Sequence, residues 1–461
     1  MLLIWPLVMV VLWRRLPPDL ALIWSILGAY LILPPVIALD LPVVPDLGKD
    51  SIPPLVALAM VLFARKETIP VLPESWVGRA LLVVFVLSPF ATVLTNAEPM
   101  PKGRFEVIQG MRIYDSVAAV TNQAIAVLPY FLARRYLSSP ESMRAILVAL
   151  VAGGLAYSVP MLIETRLSPQ MNVWVYGYFQ HDFFQTIRFG GYRPVVFLPH
   201  GLWVAFFAMM AAMSAVTLFR VGPSDRRPMQ FGVMLYLSAV LVLCKSAGPM
   251  VYAFGLGPLI VLAPRHWQVI VAAALAGMVI TYPLLRGAHL VPLDQIIALA
   301  ERLSPDRAYS FAFRVGNEET LLDRAALKPW FGWGGYGRNL IYDPMTGAGT
   351  SIADGAWIIT LGIYGWLGYL AQFGLLVLPL LLMGREMLSR RAPVSPWVAA
   401  VCLLVAANLV DMLPNATLVP LTWMMAGAVL GHAEGLARAR RAARAAAIRA
   451  RWHPKAGRTV L

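Results

Sequence analysis

Residues 196–219 read VFLPHGLWVAFFAMMAAMSAVTLF, a run without one charged side chain, and the next residue is Arg220. About 20 such residues suffice to cross a bilayer as a helix, and a basic residue commonly marks where the chain leaves the lipid. The rest of the sequence repeats this pattern. Of its 461 residues, 59% are apolar and 13% charged, against roughly 45–50% and a quarter in a soluble domain. A soluble globular protein is excluded. Further apolar runs fall near 2–13, 20–39, 52–64, 77–95, 115–133, 142–162, 230–244, 246–263, 268–285, 355–383, 397–413 and 416–433. They predict an all-α, polytopic transmembrane helical bundle of about 12–13 spans. The run at 2–13 is short for a crossing, and 230–263 also reads as one hairpin bent around Pro249.

Basic clusters follow alternate runs: Arg14-Arg15, Arg65-Lys66, Arg134-Arg135, Arg220 with Arg226-Arg227, Arg265, Arg385 with Arg390-Arg391, and the C-terminal tail. Taken as cytoplasmic, they put the N-terminus outside and the C-terminus inside. The expected organisation is N-terminal transmembrane helices over 1–162, an outward loop over 163–195 and central helices over 196–285. A large outward loop over 286–354, C-terminal helices over 355–433 and a basic cytoplasmic tail over 434–461 complete it. The opening MLLIWPLVMVVLWRR carries its charges after the apolar stretch, with no small-residue cleavage site, and reads as a first span.

The formal charge is +14, from 38 Lys and Arg against 24 Asp and Glu, and the tail GLARARRAARAAAIRARWHPKAGR is rich in arginine. That charge is a topology and lipid-surface signal, with membrane lipids rather than nucleic acid as the partner. Arg438, Arg441 and Arg444 recur at helical spacing, which suits either a helix lying on an anionic leaflet or a solvated basic helix. The two cysteines, Cys244 and Cys402, lie in apolar runs and read as buried thiols.

The two outward loops carry the chemistry. Residues 186–203, TIRFGGYRPVVFLPHGLW, bring Arg188, Arg193 and His200 close together. Guanidinium cannot shed its charge near lipid and matches phosphate oxygens two at a time, so a diphosphate partner and headgroup snorkelling are the competing readings. Residues 310–343, SFAFRVGNEETLLDRAALKPWFGWGGYGRNLIYD, predict an amphipathic helix that starts at an Asn317 cap just after Arg314, with Glu318 and Glu319 in its first turn. Pro329 and GWGGYG predict a turn, lacking the strand and lysine of a nucleotide loop.

Asp354 stands at the head of the next run, either as a proton acceptor or as the cap of that span. Lys245, between two apolar runs, is a phosphate ligand or a snorkelled lysine. The six histidines show no metal-ligand spacing, so no metal and no cofactor is expected.

Three of these segments, in this order, resemble the O-antigen ligase and O-antigen polymerase superfamily of bacterial envelope glycosyltransferases. RFGGYRPVVFLPHG resembles its arginine-bearing stretch before a central span, and Arg314 followed by KPWFGWGGYG resembles its arginine and Pro-x-x-Gly-x-Gly turn. DGAWIITLGIYGWLGYL is similar to its polar span head running into Gly-x-x-Gly, although the superfamily's ligases place His-Asn where this chain has Asp354-Gly355. The motifs cover about the C-terminal two-thirds of the chain.

The resemblance implies a GT-C-like, metal-independent, inverting transfer of an undecaprenyl-diphosphate-linked glycan at the periplasmic face of the inner membrane, ending on a glycan or lipid acceptor. It implies Arg193 and Arg314 on the leaving diphosphate, with Asp354 as candidate base unless His200 reaches that place from the other loop or the chemistry differs from the ligases; Arg188, His200, Lys245 and Arg338 complete the expected substrate-binding set. The replaced His-Asn pair favours a polymerase over a ligase, with polysaccharide assembly proteins as partners. The rival readings are a flippase of lipid-linked sugars, which predicts charges in the bundle middle, and a non-catalytic assembly subunit.

Overall fold

Proline, glycine and serine interrupt the apolar runs, and in the computed structural model most helices begin at or beside one of them. The structure describes residues 1–41, 44–188, 190–303, 305–389 and 394–452. The Arg390-Arg391 cluster and the end of the basic tail lie outside these described residues. The protein is mostly helical, 71% helix against 3% strand. Among the described residues, six helices are long and apolar enough to cross a membrane: Trp76–Leu94, Ile113–Tyr136, Pro140–Leu167, Gly201–Val221, Arg265–Gly287 and Ala356–Leu388. Shorter apolar helices at Pro18–Ile32, Ile52–Ala64, Ala247–Leu262 and Pro396–Asp411 stand where other spans were expected. Proline begins several of these helices, its fixed φ and missing N–H being no loss in a first turn.

Trp5–Arg15 does not stand alone. The indoles of Trp5 and Trp13 donate to the carbonyl and hydroxyl of Ser25, 3.2 and 3.1 Å away, and so bind it to Pro18–Ile32. The expected bend at Pro249 is instead a break at Lys245, whose φ of +52° ends Arg227–Leu243 before Ala247–Leu262 begins. Pro249 simply occupies the first turn of the second helix, where it is tolerated.

The 286–354 segment contains two helices, Leu293–Leu303 and Pro305–Ala326. The second corrects the expected start at Asn317, because the helix runs unbroken through that residue. No proline lies between 306 and 316, and Gly316 lowers helix propensity without ending the helix. Asn317 therefore does not cap; its amide oxygen accepts the Ile352 N–H at 2.8 Å and ties the helix to the chain entering Asp354. Glu318 and Glu319 likewise lie inside the helix, away from its positive end.

GWGGYG forms a turn with positive φ at Gly332, Gly334, Tyr336 and Gly337. It docks on the Ala356–Leu388 helix where that helix unwinds at Gly365, φ +65°. There Trp333 and Gly334 donate to Gly362 and Ile363 carbonyls at 2.8 and 2.9 Å, and Trp366 donates to Pro329 at 2.7 Å. A side chain at Gly365 would collide with the Trp330 backbone, so glycine is required for both conformation and space.

Candidate functional site

Arg188 and Arg193 are presented by a small hairpin, Ile187–Arg188 paired with Gly191–Tyr192, which turns at Gly190 with φ +67°. The chain then crosses the head of Gly201–Val221, and a carboxylate holds it there. Glu164, in the last turn of Pro140–Leu167 and 1% exposed, accepts from Val195 and Val196 N–H with one oxygen, at 2.7 and 2.8 Å. Its other oxygen accepts from Met171 N–H at 2.8 Å. Val196 takes φ +51°, a conformation rare for a β-branched residue, so the segment is held rather than free.

Arg193 is 8% exposed, and its side chain lies over Gly201, where any β-carbon would overlap it. Among the described residues no carboxylate lies within ion-pair distance, and its Nε has no hydrogen-bond partner. Burial, together with Arg188 and Arg314 nearby, holds the guanidinium down to about 10. It remains cationic at neutral pH. Buried charges are ordinarily paired, so this one lacks an anion. The Lys245 ammonium joins the group by donating to the Arg188 carbonyl at 3.1 Å.

His200 caps the Gly201–Val221 helix: its Nδ1 accepts the Leu202 N–H at 2.9 Å. Burial first, then His181 and the three arginines Arg193, Arg314 and Arg188, push it down to about 3. A neutral imidazole whose Nδ1 accepts must carry its proton on Nε2. His200 is thus a donor and not a base. His181 packs edge-on against it with ring centroids 4.3 Å apart.

On the other side, Arg314 Nε meets Asp354 Oδ2 at 3.3 Å. That contact speaks against the cap: the Asp354 carboxylate turns to the arginine instead of to the amides of the helix beginning at Ala356. Gly355 follows because the Leu413 carbonyl fills the space of a side chain. Glu318 lies one helical turn after Arg314, and Trp357 Nε1 donates to its Oε1 at 3.4 Å. Burial, aided by Asp354, outweighs the Trp357 bond, Arg286 and Arg314 and pushes Glu318 up to about 7.

The structure therefore groups Arg188, Arg193, His200 and Lys245 around the hairpin, with Arg314, itself paired with Asp354, close enough to act electrostatically on Arg193 and His200. Arg338 is elsewhere. It is 2% exposed and donates to the carbonyls of Trp333, Gln109 and Glu98 at 3.2, 2.9 and 3.0 Å. It clasps the GWGGYG turn to the 96–111 segment, while Arg324 stacks on Trp333.

Glu164, His181 and Glu318 are the site residues sequence reasoning missed or placed otherwise. A glutamate two residues past the 142–162 apolar run was the available signal for the first. Among the described residues no three His, Cys, Asp or Glu side chains converge as a metal-ligand set. Compared with protein-family profiles and with curated proteins, the chain matches none.

Proposed function

We propose that the protein is a membrane glycosyltransferase that moves a glycan from a polyprenyl diphosphate to an acceptor hydroxyl. The observation that carries this reading is Arg193, a buried guanidinium without a protein anion, set among Arg188, Arg314 and the His200 Nε2–H donor. Several cations meeting one donor, with no carboxylate on the central arginine, suit a multiply charged phosphate ligand. Preorganised cations stabilise charge that develops on a departing diphosphate. Two carboxylates, Asp354 and Glu318, stand beside Arg314 as proton acceptors.

In the reaction the acceptor O–H bond breaks and its proton passes to a carboxylate. The oxygen forms a bond to the anomeric carbon, whose bond to the diphosphate oxygen breaks with the electron pair leaving on diphosphate. Attack opposite the leaving group inverts the anomeric centre. The resemblance to the O-antigen ligase and polymerase superfamily supports a GT-C-like bundle of about 12–13 spans, with this site periplasmic and the basic tail cytoplasmic. Asp354-Gly355 in place of His-Asn favours a polymerase.

The test is complementation of a deletion strain with Arg193→Ala, Arg314→Ala and Asp354→Asn, with membrane levels checked by immunoblot. Accumulation of unpolymerised lipid-linked units on the outer face is expected. Normal polymer in all three variants refutes the enzyme, and accumulation on the cytoplasmic face points to transport.

A further inference from the structure

A cavity of about 440 Å³ lies beside the cation cluster and takes no part in it. Its volume falls in the range of about 300–1,000 Å³ typical of small-molecule sites. Lys49, Asp50 and Ser51, Asn122, Pro199 and Trp423 are among its walls. They come from the turn before the Ile52–Ala64 helix, the Ile113–Tyr136 helix, the chain before His200, and the helix that starts at Pro420.

Lys49 is 7% exposed, and among the described residues no carboxylate lies within ion-pair distance of it. Its ammonium donates to the Phe197 carbonyl at 3.1 Å and faces the Tyr30 ring at 5.6 Å. Burial, opposed by Asp50, pushes it down to about 8. The Asp50 carboxylate is reachable by water yet crowded by protein, as at the bottom of a pocket, and makes no hydrogen bond among the described residues. Asn122 is exposed although it belongs to an apolar helix of membrane-spanning length. An amide at that depth needs water or a polar ligand.

A donor-only ammonium, an acceptor-only carboxylate, and an amide and a hydroxyl that do both match the mixed hydroxyls of a sugar ring. Lys49 and Ser51 keep protein partners whatever fills the cavity, but a lipid tail would leave the Asp50 carboxylate and the Asn122 amide unpaired, and Asp50 would repel a second diphosphate. The cavity's walls are also tied through the chain to both halves of the site. Pro199 adjoins His200, Lys49 holds the Phe197 carbonyl, and Leu418 to Pro420 continue the loop whose Asn415 carbonyl accepts the Ala356 N–H next to Asp354. Asn122 is shared with a second cavity of about 160 Å³, where Tyr336 donates to Asp115 at 3.0 Å. Asp115 and Asn122 lie two helical turns apart on one face, which gives the chamber length.

We propose that this chamber is the acceptor subsite, holding the terminal sugars of a glycan so that its last hydroxyl reaches Asp354 and Glu318. The assignment rests on the transferase reading above. It is tested on the full chain in native-lipid nanodiscs with Asp50→Asn, Asn122→Leu and, at a wall residue one helical turn after Asn122, the cavity-filling Ala126→Trp, beside Arg193→Ala. One readout is transfer of the cell's own lipid-linked glycan as acceptor concentration is varied. The other is the amount of lipid-linked donor that stays bound through purification.

Loss of one or two charged or buried hydrogen bonds is expected to raise the acceptor KM about tenfold in Asp50→Asn and Asn122→Leu. Donor retention is expected to stay at the parent level, and Arg193→Ala to lose both. Unchanged KM in both conservative variants overturns the subsite, even if Ala126→Trp fails to fold. Equal loss of donor retention overturns it as well, since the chamber would then serve the donor. Normal transfer and retention in Arg193→Ala overturns the transferase reading instead.

Discussion

Replacing Glu164 by Gln is expected to disable the site without touching an arginine. The carboxylate is acceptor-only and meets three backbone donors, Val195, Val196 and Met171, at 2.7–2.8 Å. Glutamine has one acceptor oxygen. If that oxygen keeps Val195 and Val196, its amide hydrogens point at the Met171 N–H, and that bond is lost. A charge-assisted bond contributes about 2 kcal/mol, and turning the other two into neutral bonds removes about 1 kcal/mol each, so the contact weakens by about 4 kcal/mol.

The released strand is the one carrying Arg193, and a shift of about 1 Å in a positioning group lowers rate on the order of a hundredfold. Transfer rate, membrane level and amide hydrogen exchange at Val195 and Val196 are the measurements. Exchange at these two amides is expected to accelerate on the order of a hundredfold or more while distant helices stay protected. Glu164→Gln with parent exchange at both amides and parent activity would refute the positioning role.

Glu318, pushed up to about 7, is protonated below that pH, so transfer is expected to rise as pH increases through about 7 and to lose this limb in Glu318→Gln. A pH–rate profile identical in parent and Glu318→Gln leaves Asp354 as the sole acceptor. Arg338→Lys keeps the charge but cannot span three carbonyls; a loss of about 3 kcal/mol is expected as a lower melting temperature and lower membrane level. Unaltered melting would contradict the clasp. Gly365→Ala forces a β-carbon into a positive-φ conformation open in practice to glycine alone, at about 1–3 kcal/mol, and against the Trp330 backbone, so thermal unfolding is expected earlier than in Gly374→Ala of the same helix, where only the movable Leu81 methyl groups intrude.

Residues 196–219 and their apolar counterparts determine on their own that the chain is helical and lipid-solvated. Partition into a bilayer depends on each segment's own composition and length, and backbone hydrogen bonds within it must close on themselves. The turn at GWGGYG was legible for a similar reason, since proline and glycine act on their own dihedral angles. The grouping of arginines around 188–193 was legible too, because neighbours in sequence are neighbours in space.

What each charge does was not legible. Asp354 alone reads equally as a cap or a base, and only the approach of the helix carrying Arg314 turns its carboxylate away from the first-turn amides. Asn317 and Glu318 look like a helix start until the preceding residues are seen to continue the helix. Glu164 lies 31 residues from Val196's neighbour Val195, and Trp357 lies 39 residues from Glu318. Arg338 carries the same side chain as Arg193, yet three carbonyls from separated segments claim it. Charge and hydrogen bonding act through space over a few ångströms, so partners distant in sequence are decided by how the helices pack, whereas the preference of a segment for lipid is decided residue by residue along the chain.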